Sequence, residues 1–147
     1  MTEENVKNAL FSRFLTLNTF SNISFLVIEN NEVKNVALPN KNFTPPDNCR
    51  WFALSFMPDV PEQISVGYPS LVSVTGIFQI DIYTPLDKGE AEADTKYEWI
   101  SNLFAPGTEI GSSIIINKVY SPDSTPEKNV YKKIVSVEWT ADIDKGA

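Results

Sequence analysis

Residues 76–94 read GIFQIDIYTPLDKGEAEAD, and they decide the fold. Together with the preceding LVSVT they form the longest strict alternation in the chain. Val72, Val74, Gly76, Phe78, Ile80 and Ile82 fall on one side of a strand over 71–85. Leu71, Ser73, Thr75, Ile77, Gln79, Asp81 and Tyr83 fall on the other, because successive side chains point to opposite faces. The even-numbered side is apolar enough to be a core face. Gly76 in mid-strand predicts either a bulge or a close backbone approach. A Pro85–Gly89 turn follows, and then Glu90, Glu92 and Asp94 open a helix at its positive end.

Strand, glycine turn and helix also outline a phosphate loop, with Asp81, Asp87 and Lys88 as candidate chemistry. The pattern fails on inspection. A Walker loop places Lys after its second glycine, whereas here Lys88 precedes Gly89. The carboxylates that follow would repel phosphate from the helix dipole.

Working outward, residues 90–104 predict a helix with a stripe of Ala93, Tyr97, Ile100, Leu103 and Phe104, stopped by Pro106 and Gly107. Residues 3–17 predict another, with Val6, Leu10, Phe14 and Leu17 on one side and Thr2 as N-cap. Strands are expected at 49–59, with Trp51, Ala53, Ser55 and Met57 facing away from Phe52, Leu54 and Phe56, and also at 109–121 and 131–143. Residues 23–30 read as a loose strand, "NNE" as a turn, and 60–70 as carrying a short strand and a turn at Gly67–Pro69. Long loops are expected near 30–48 and 118–131, where Asn and Pro accumulate. The order predicts one α+β domain over 1–147, with a mostly antiparallel sheet and two main helices packed on one face. Repeated βα alternation, which a doubly wound fold needs, is absent.

Composition narrows the function. The 147 residues carry a net charge of −7, which disfavours nucleic acid and anionic membrane as partners. There is no histidine, so His-based triads and most zinc sites are out of reach. The single cysteine, Cys49, has no internal disulfide partner and reads as a small filler. The acidic N-terminal stretch does not resemble a signal peptide, and no apolar run reaches the length of a membrane span. These features predict a protein used in a cytoplasm, not an enzyme, with no metal and no cofactor. Asp81, the acids of "EAEAD" and "PDSTPE", and the basic residues Lys41 and Arg50 beside aromatics all read more simply as surface. Aromatics reach 12% of the chain, a composition suited to binding other proteins.

Residues 33–141 resemble the tail terminator, or minor tail protein, family of long-tailed bacteriophages. The resemblance is carried by "LPNKNFTPPDNCRWFALSFMP" with Asn40, Pro46 and Trp51, by the glycine of "VGYP", by Gly76, by "ISNLFAPGTEI", and by the P-x-x-x-G-x-x-x-A turn of Pro85, Gly89 and Ala93. One departure is that "SLVSVTG" lacks a basic residue before the glycine. The resemblance implies a structural virion-assembly protein of a phage or prophage, found in the virion tail and assembled in the bacterial host cytoplasm. It implies a homo-oligomeric ring, a hexamer, that caps the tail tube. Its partners would be itself, the major tail tube protein and head-neck proteins, with no specific nucleic acid and no membrane. A head–tail connector and a small ligand-binding domain are the alternatives. The expected subunit interface is Ile77, Gln79, Asp81, Tyr83 and Tyr68.

Overall fold

The computed structural model describes residues 2–59, 62–63, 71–86, 89–111, 113–122, 124–126 and 130–144. Tyr68, the Gly67–Pro69 turn, Asp87 and Lys88 lie outside them. Chain order is α1 (Glu3–Phe14), α2 (Leu17–Ser21), β1 (Ile28–Glu29), β2 (Glu32–Val33), β3 (Val36–Ala37), β4 (Trp51–Pro58), β5 (Glu62–Gln63), β6 (Leu71–Pro85), α3 (Gly89–Leu103), β7 (Glu109–Ile110), β8 (Ile114–Tyr120), β9 (Ser124–Pro126) and β10 (Val130–Asp144).

The centre of the molecule is the predicted strand β6. It pairs antiparallel with β10 along its whole length, from Leu71↔Asp144 to Pro85↔Val130. β4 flanks β6 on the other side, from Trp51↔Tyr83 to Pro58↔Gly76. The main sheet runs β3-β4-β6-β10-β8-β7. It is mixed, which corrects the mostly antiparallel sheet expected from sequence: β3 runs parallel to β4 through Val36↔Phe52 and Ala37↔Ala53. The reason is local. Residues 38–50 form a connection long enough to carry the chain back to the same end of the sheet, where a tight hairpin would have reversed its direction.

Fully buried Phe78, Ile80 and Ile82 make the even-numbered side of β6 the core, with Phe52 beside them and Val135, Val137 and Trp139 from β10. Phe11 and Phe14 of α1 reach it by ring contacts to Phe78 at 5.4 Å and to Phe52 at 5.3 Å. Phe104, directly after α3, meets the same Phe78 at 5.6 Å. The helix stripes are as predicted: Val6, Leu10 and Phe14 in α1, and Ala93, Ile100 and Leu103 in α3, are buried. Thr2 closes a capping box with Asn5. Arg13 of α1 donates from Nε and Nη2 to the Leu103 carbonyl at 3.2 and 2.9 Å, so one helix caps the other.

Gly76 is a close approach. A Cβ there would lie 2.7 Å from the Met57 carbonyl oxygen and 2.7 Å from Cζ2 of Trp139. The register of β6 with β10 runs unbroken through it, and the regular pairing with β4 reaches it at Pro58. The bulge lies elsewhere, between Glu138 and Trp139 in the pairing of β10 with β8, where Asn117 has no opposite residue.

Several sequence boundaries move. The expected strand over 109–121 is a hairpin of β7 and β8, turned at Gly111 with φ +64. The loose strand at 23–30 shrinks to Ile28–Glu29, joined to β2 through Asn30 and Asn31, whose φ values of 53 and 62 suit a two-residue primed turn. Strand β9 pairs with β10 inside the supposed loop at 118–131. Residues 25–27, ahead of the expected loop near 30–48, are pinned by two asparagines. Asn35 accepts from the Val27 N–H at 2.9 Å and donates to the Phe25 carbonyl at 3.0 Å. Asn18 makes the equivalent pair of bonds with Leu26 at 2.8 and 2.7 Å. Asn35 is buried. Replacing it with alanine is expected to cost about 1–3 kcal/mol, because two backbone groups lose their partner. Urea denaturation would measure this cost, and hydrogen exchange at Val27 would show where it falls.

Candidate functional site

The odd-numbered side of β6 carries four of the five expected interface residues. Its lower half is an aromatic and ionic network. Trp51 lies flat on Tyr83 with ring centroids 4.3 Å apart and 9° between planes. Phe43, from the connection before β4, leans on Trp51 at 6.4 Å. Lys132 of β10 places Nζ 5.8 Å from the Tyr83 ring centre and 3.8 Å from Oδ2 of Asp81. Gln79 donates from Nε2 to Oδ1 of Asp81 at 2.8 Å. Asp81 is only 7% exposed. It is therefore a buried acceptor within the face, where a polar residue on a solvated or subunit-facing surface was expected.

The upper half is different in character. Thr75 and Thr140 share a hydrogen bond of 3.0 Å, and Asn117 donates to Thr140 Oγ1 at 2.7 Å. Around them Met57 (44%) and Ile115 (47%) are exposed. Met57, Ile77, Glu138 and Lys118 form one cross-strand row. Large apolar side chains and charges thus alternate over an open sheet surface. That arrangement suits a protein contact better than a catalytic pocket.

Among the described residues, hollows lie near both ends of β4. One, of about 520 Å³, lies beside β3 and the connection to β4 and includes Leu15, Val36, Leu38, Lys41 and Phe43. The other, of about 290 Å³, lies at the opposite end of β4 and includes Met57, Asp59, Ile77 and Glu138. Among the described residues no group of three or more Cys, Asp or Glu is placed to hold a metal ion. No helix among them is long and apolar enough to cross a membrane.

Thr84 is fully buried and donates from Oγ1 to the Gly89 carbonyl at 3.0 Å, and Gly89 leaves no room for a side chain beside it.

One polar cluster escaped the sequence reading. Lys96, on the buried side of α3, is 5% exposed. Its Nζ sits 3.3 Å from Oε1 of Glu92 and 5.4 Å from the Phe52 ring centre. Arg50 donates to the same Glu92 oxygen at 2.6 Å. The Arg50 bond to Glu92 holds the guanidinium above its ordinary range. Burial pushes the Lys96 ammonium below its ordinary value. Burial alone would push the Glu92 carboxyl up, but the Arg50 hydrogen bond and the Lys96 charge outweigh it and leave it below 4.5. A lowered carboxylate stabilises the fold above its unfolded value and loses that contribution as pH falls through its folded value. Stability is therefore expected to drop on acidification below about pH 4.5. Glu92→Gln should flatten that acid limb and cost about 1–2 kcal/mol at neutral pH, as measured by thermal melts across pH. A helical wheel marks position 96 as inward-facing, and that was the available signal.

A family model described as "Phage tail terminator protein" matches residues 5–139. A solved structure that carries no functional name aligns at a TM-score of 0.67 with 16% identity over 96% of each chain, a likeness of fold. No curated protein matches the chain.

Proposed function

The chain belongs to the phage tail terminator family, and from that premise we propose that it assembles into a ring that caps the tail tube and joins it to the head-neck complex. Membership places it among structural proteins of virion assembly. A hexameric ring, the tube protein and head-neck proteins as partners, and assembly in the host cytoplasm belong to the proposal.

The observation that carries it is the mixed, odd-numbered side of the sheet, where Met57 and Ile115 are exposed. With both helices on the even-numbered side of β6, as we propose, Ile77, Gln79, Asp81 and Tyr83 are left for neighbours, and Tyr68 joins them in the assembled ring. Asp81 and Tyr83 act there by holding the network under Trp51 and Lys132. Ile77, next to exposed Met57, supplies apolar contact. A ring needs heterologous contacts, in which one patch binds a different patch on the next copy.

Electron microscopy of a lysate from phage lacking this chain tests the role. Abnormally long tails or polytubes are expected. Tails of normal length that fail to join heads would replace the terminator role with a head–tail connector role.

A further inference from the structure

Five of the eight large apolar side chains that stand exposed among the described residues fall within one short stretch: Leu15, Phe20, Ile23, Val27 and Ile28. Asn18 of α2 bonds both the N–H and the carbonyl of Leu26, so the two ends of this stretch are held together. Phe20 extends the patch onto α3, where its ring meets Trp99 edge-on at 6.1 Å. None of these residues belongs to the odd-numbered side of β6, which the ring reading leaves for neighbouring copies. The surroundings are acidic. Residues 3–34 and 89–104 carry eight acids against four cations. All four cations are taken: Lys7 by Glu4, Lys34 by Glu32, Lys96 by Glu92, and Arg13 by the Leu103 carbonyl. Glu98, next to Trp99, and Glu29, next to Ile28, are exposed and have no ion pair among the described residues.

We propose that this patch seats a different protein of the particle, one that presents apolar side chains flanked by lysine or arginine. A contiguous exposed apolar surface marks a protein contact, and unpaired carboxylates beside it select a cationic partner. A second copy of this chain does not answer that description. Of its nine described cations, six are tied to a carboxylate, Arg13 is tied to a carbonyl, and Lys118 stands across from Glu138. Each copy would also bring a net charge of −7 to an acidic surface. The inference rests on the family's place in the virion tail and not on the ring.

Photocrosslinking tests it. Phage lacking this chain is complemented with the variant Phe20→p-benzoylphenylalanine, and assembled particles are irradiated and analysed by mass spectrometry. Ile23 carries the label if the Phe20 variant fails to fold. The expected cross-link joins a different protein at a site flanked by Lys or Arg. A cross-link to another copy of this chain, to a site without cations, or to nothing overturns the proposal. Glu98→Lys supplies the charge test, with Glu98→Asp as its conservative partner and circular dichroism to check the fold. Glu98→Lys should lower incorporation of the chain into particles about tenfold or more, and Glu98→Asp should retain it. Self-association of the purified chain, read by sedimentation velocity, should be the same for both. Unchanged incorporation, or an equal loss of self-association, overturns the contact. The lysate microscopy decides the terminator role separately. Tails of normal length together with the expected cross-link would remove that role and leave this contact standing.

Discussion

Phe78→Ala is expected to lower stability by about 3–5 kcal/mol, the range for truncating a fully buried aromatic ring. Phe78 is 0% exposed and stands in the middle of the central strand. Its ring touches Phe11 on α1 and Phe104 just after α3, so its loss opens a cavity where sheet and helices meet. Single domains are stable by only about 5–15 kcal/mol, so the variant would sit near the limit of folding. At this chain length the midpoint of thermal unfolding should fall by roughly 10–15 °C, which calorimetry would read. Ile77→Ala, one residue away on the other side of the strand, provides the contrast. It should change thermal stability little while weakening association, and a loss as large as that of Phe78→Ala would contradict the two-sided account of β6.

Gly76→Ala adds a single methyl group and is expected to cost about 2–3 kcal/mol, in the range for overpacking a tight core. The new carbon would lie 2.7 Å from the Met57 oxygen and 2.8 Å from the Pro58 Cα, both main-chain atoms of β4. It would also lie 2.7 Å from Trp139. Trp139 is fully buried and stacked on Phe56 at 5.3 Å with 7° between planes, so it has nowhere to move. Relief therefore requires β4 to separate from β6. Gly107→Ala is the control: no atom lies within 4 Å of its would-be Cβ, and only its φ of +87 resists substitution. Chemical denaturation should show the Gly76 variant losing clearly more stability than the Gly107 variant; equal losses would mean that contact with β4 and Trp139 is not the cause.

The parts legible in the sequence were those governed by periodicity. The side-chain alternation of 71–85 and the stripes Val6–Leu10–Phe14 and Ala93–Ile100 each report one face of one element, and a single sequence contains that information. The order of strands within the sheet depended on the connection at 38–50, whose direction is set by long-range packing. Gly76 was legible as a crowded site, but its occupant, Trp139, is 63 positions further along. Lys96 was missed because a buried lysine is tolerable only with Glu92 and Phe52 around it, and those partners meet only in the folded chain. Asp81 looked exposed for the same reason. Its burial depends on Gln79 beside it and Lys132 on the neighbouring strand.

The irregularity opposite Glu138 has a consequence for how the sheet meets other strands. It gives β8 one residue too many, Asn117, and turns Lys118 outward. At the opposite margin β3 offers only two residues of pairing. A kinked, lysine-bearing border and a very short one are poor templates for adventitious strands. The chain is thereby guarded against edge-to-edge strand pairing with other copies. Removing Asn117 would straighten that border and take the safeguard away.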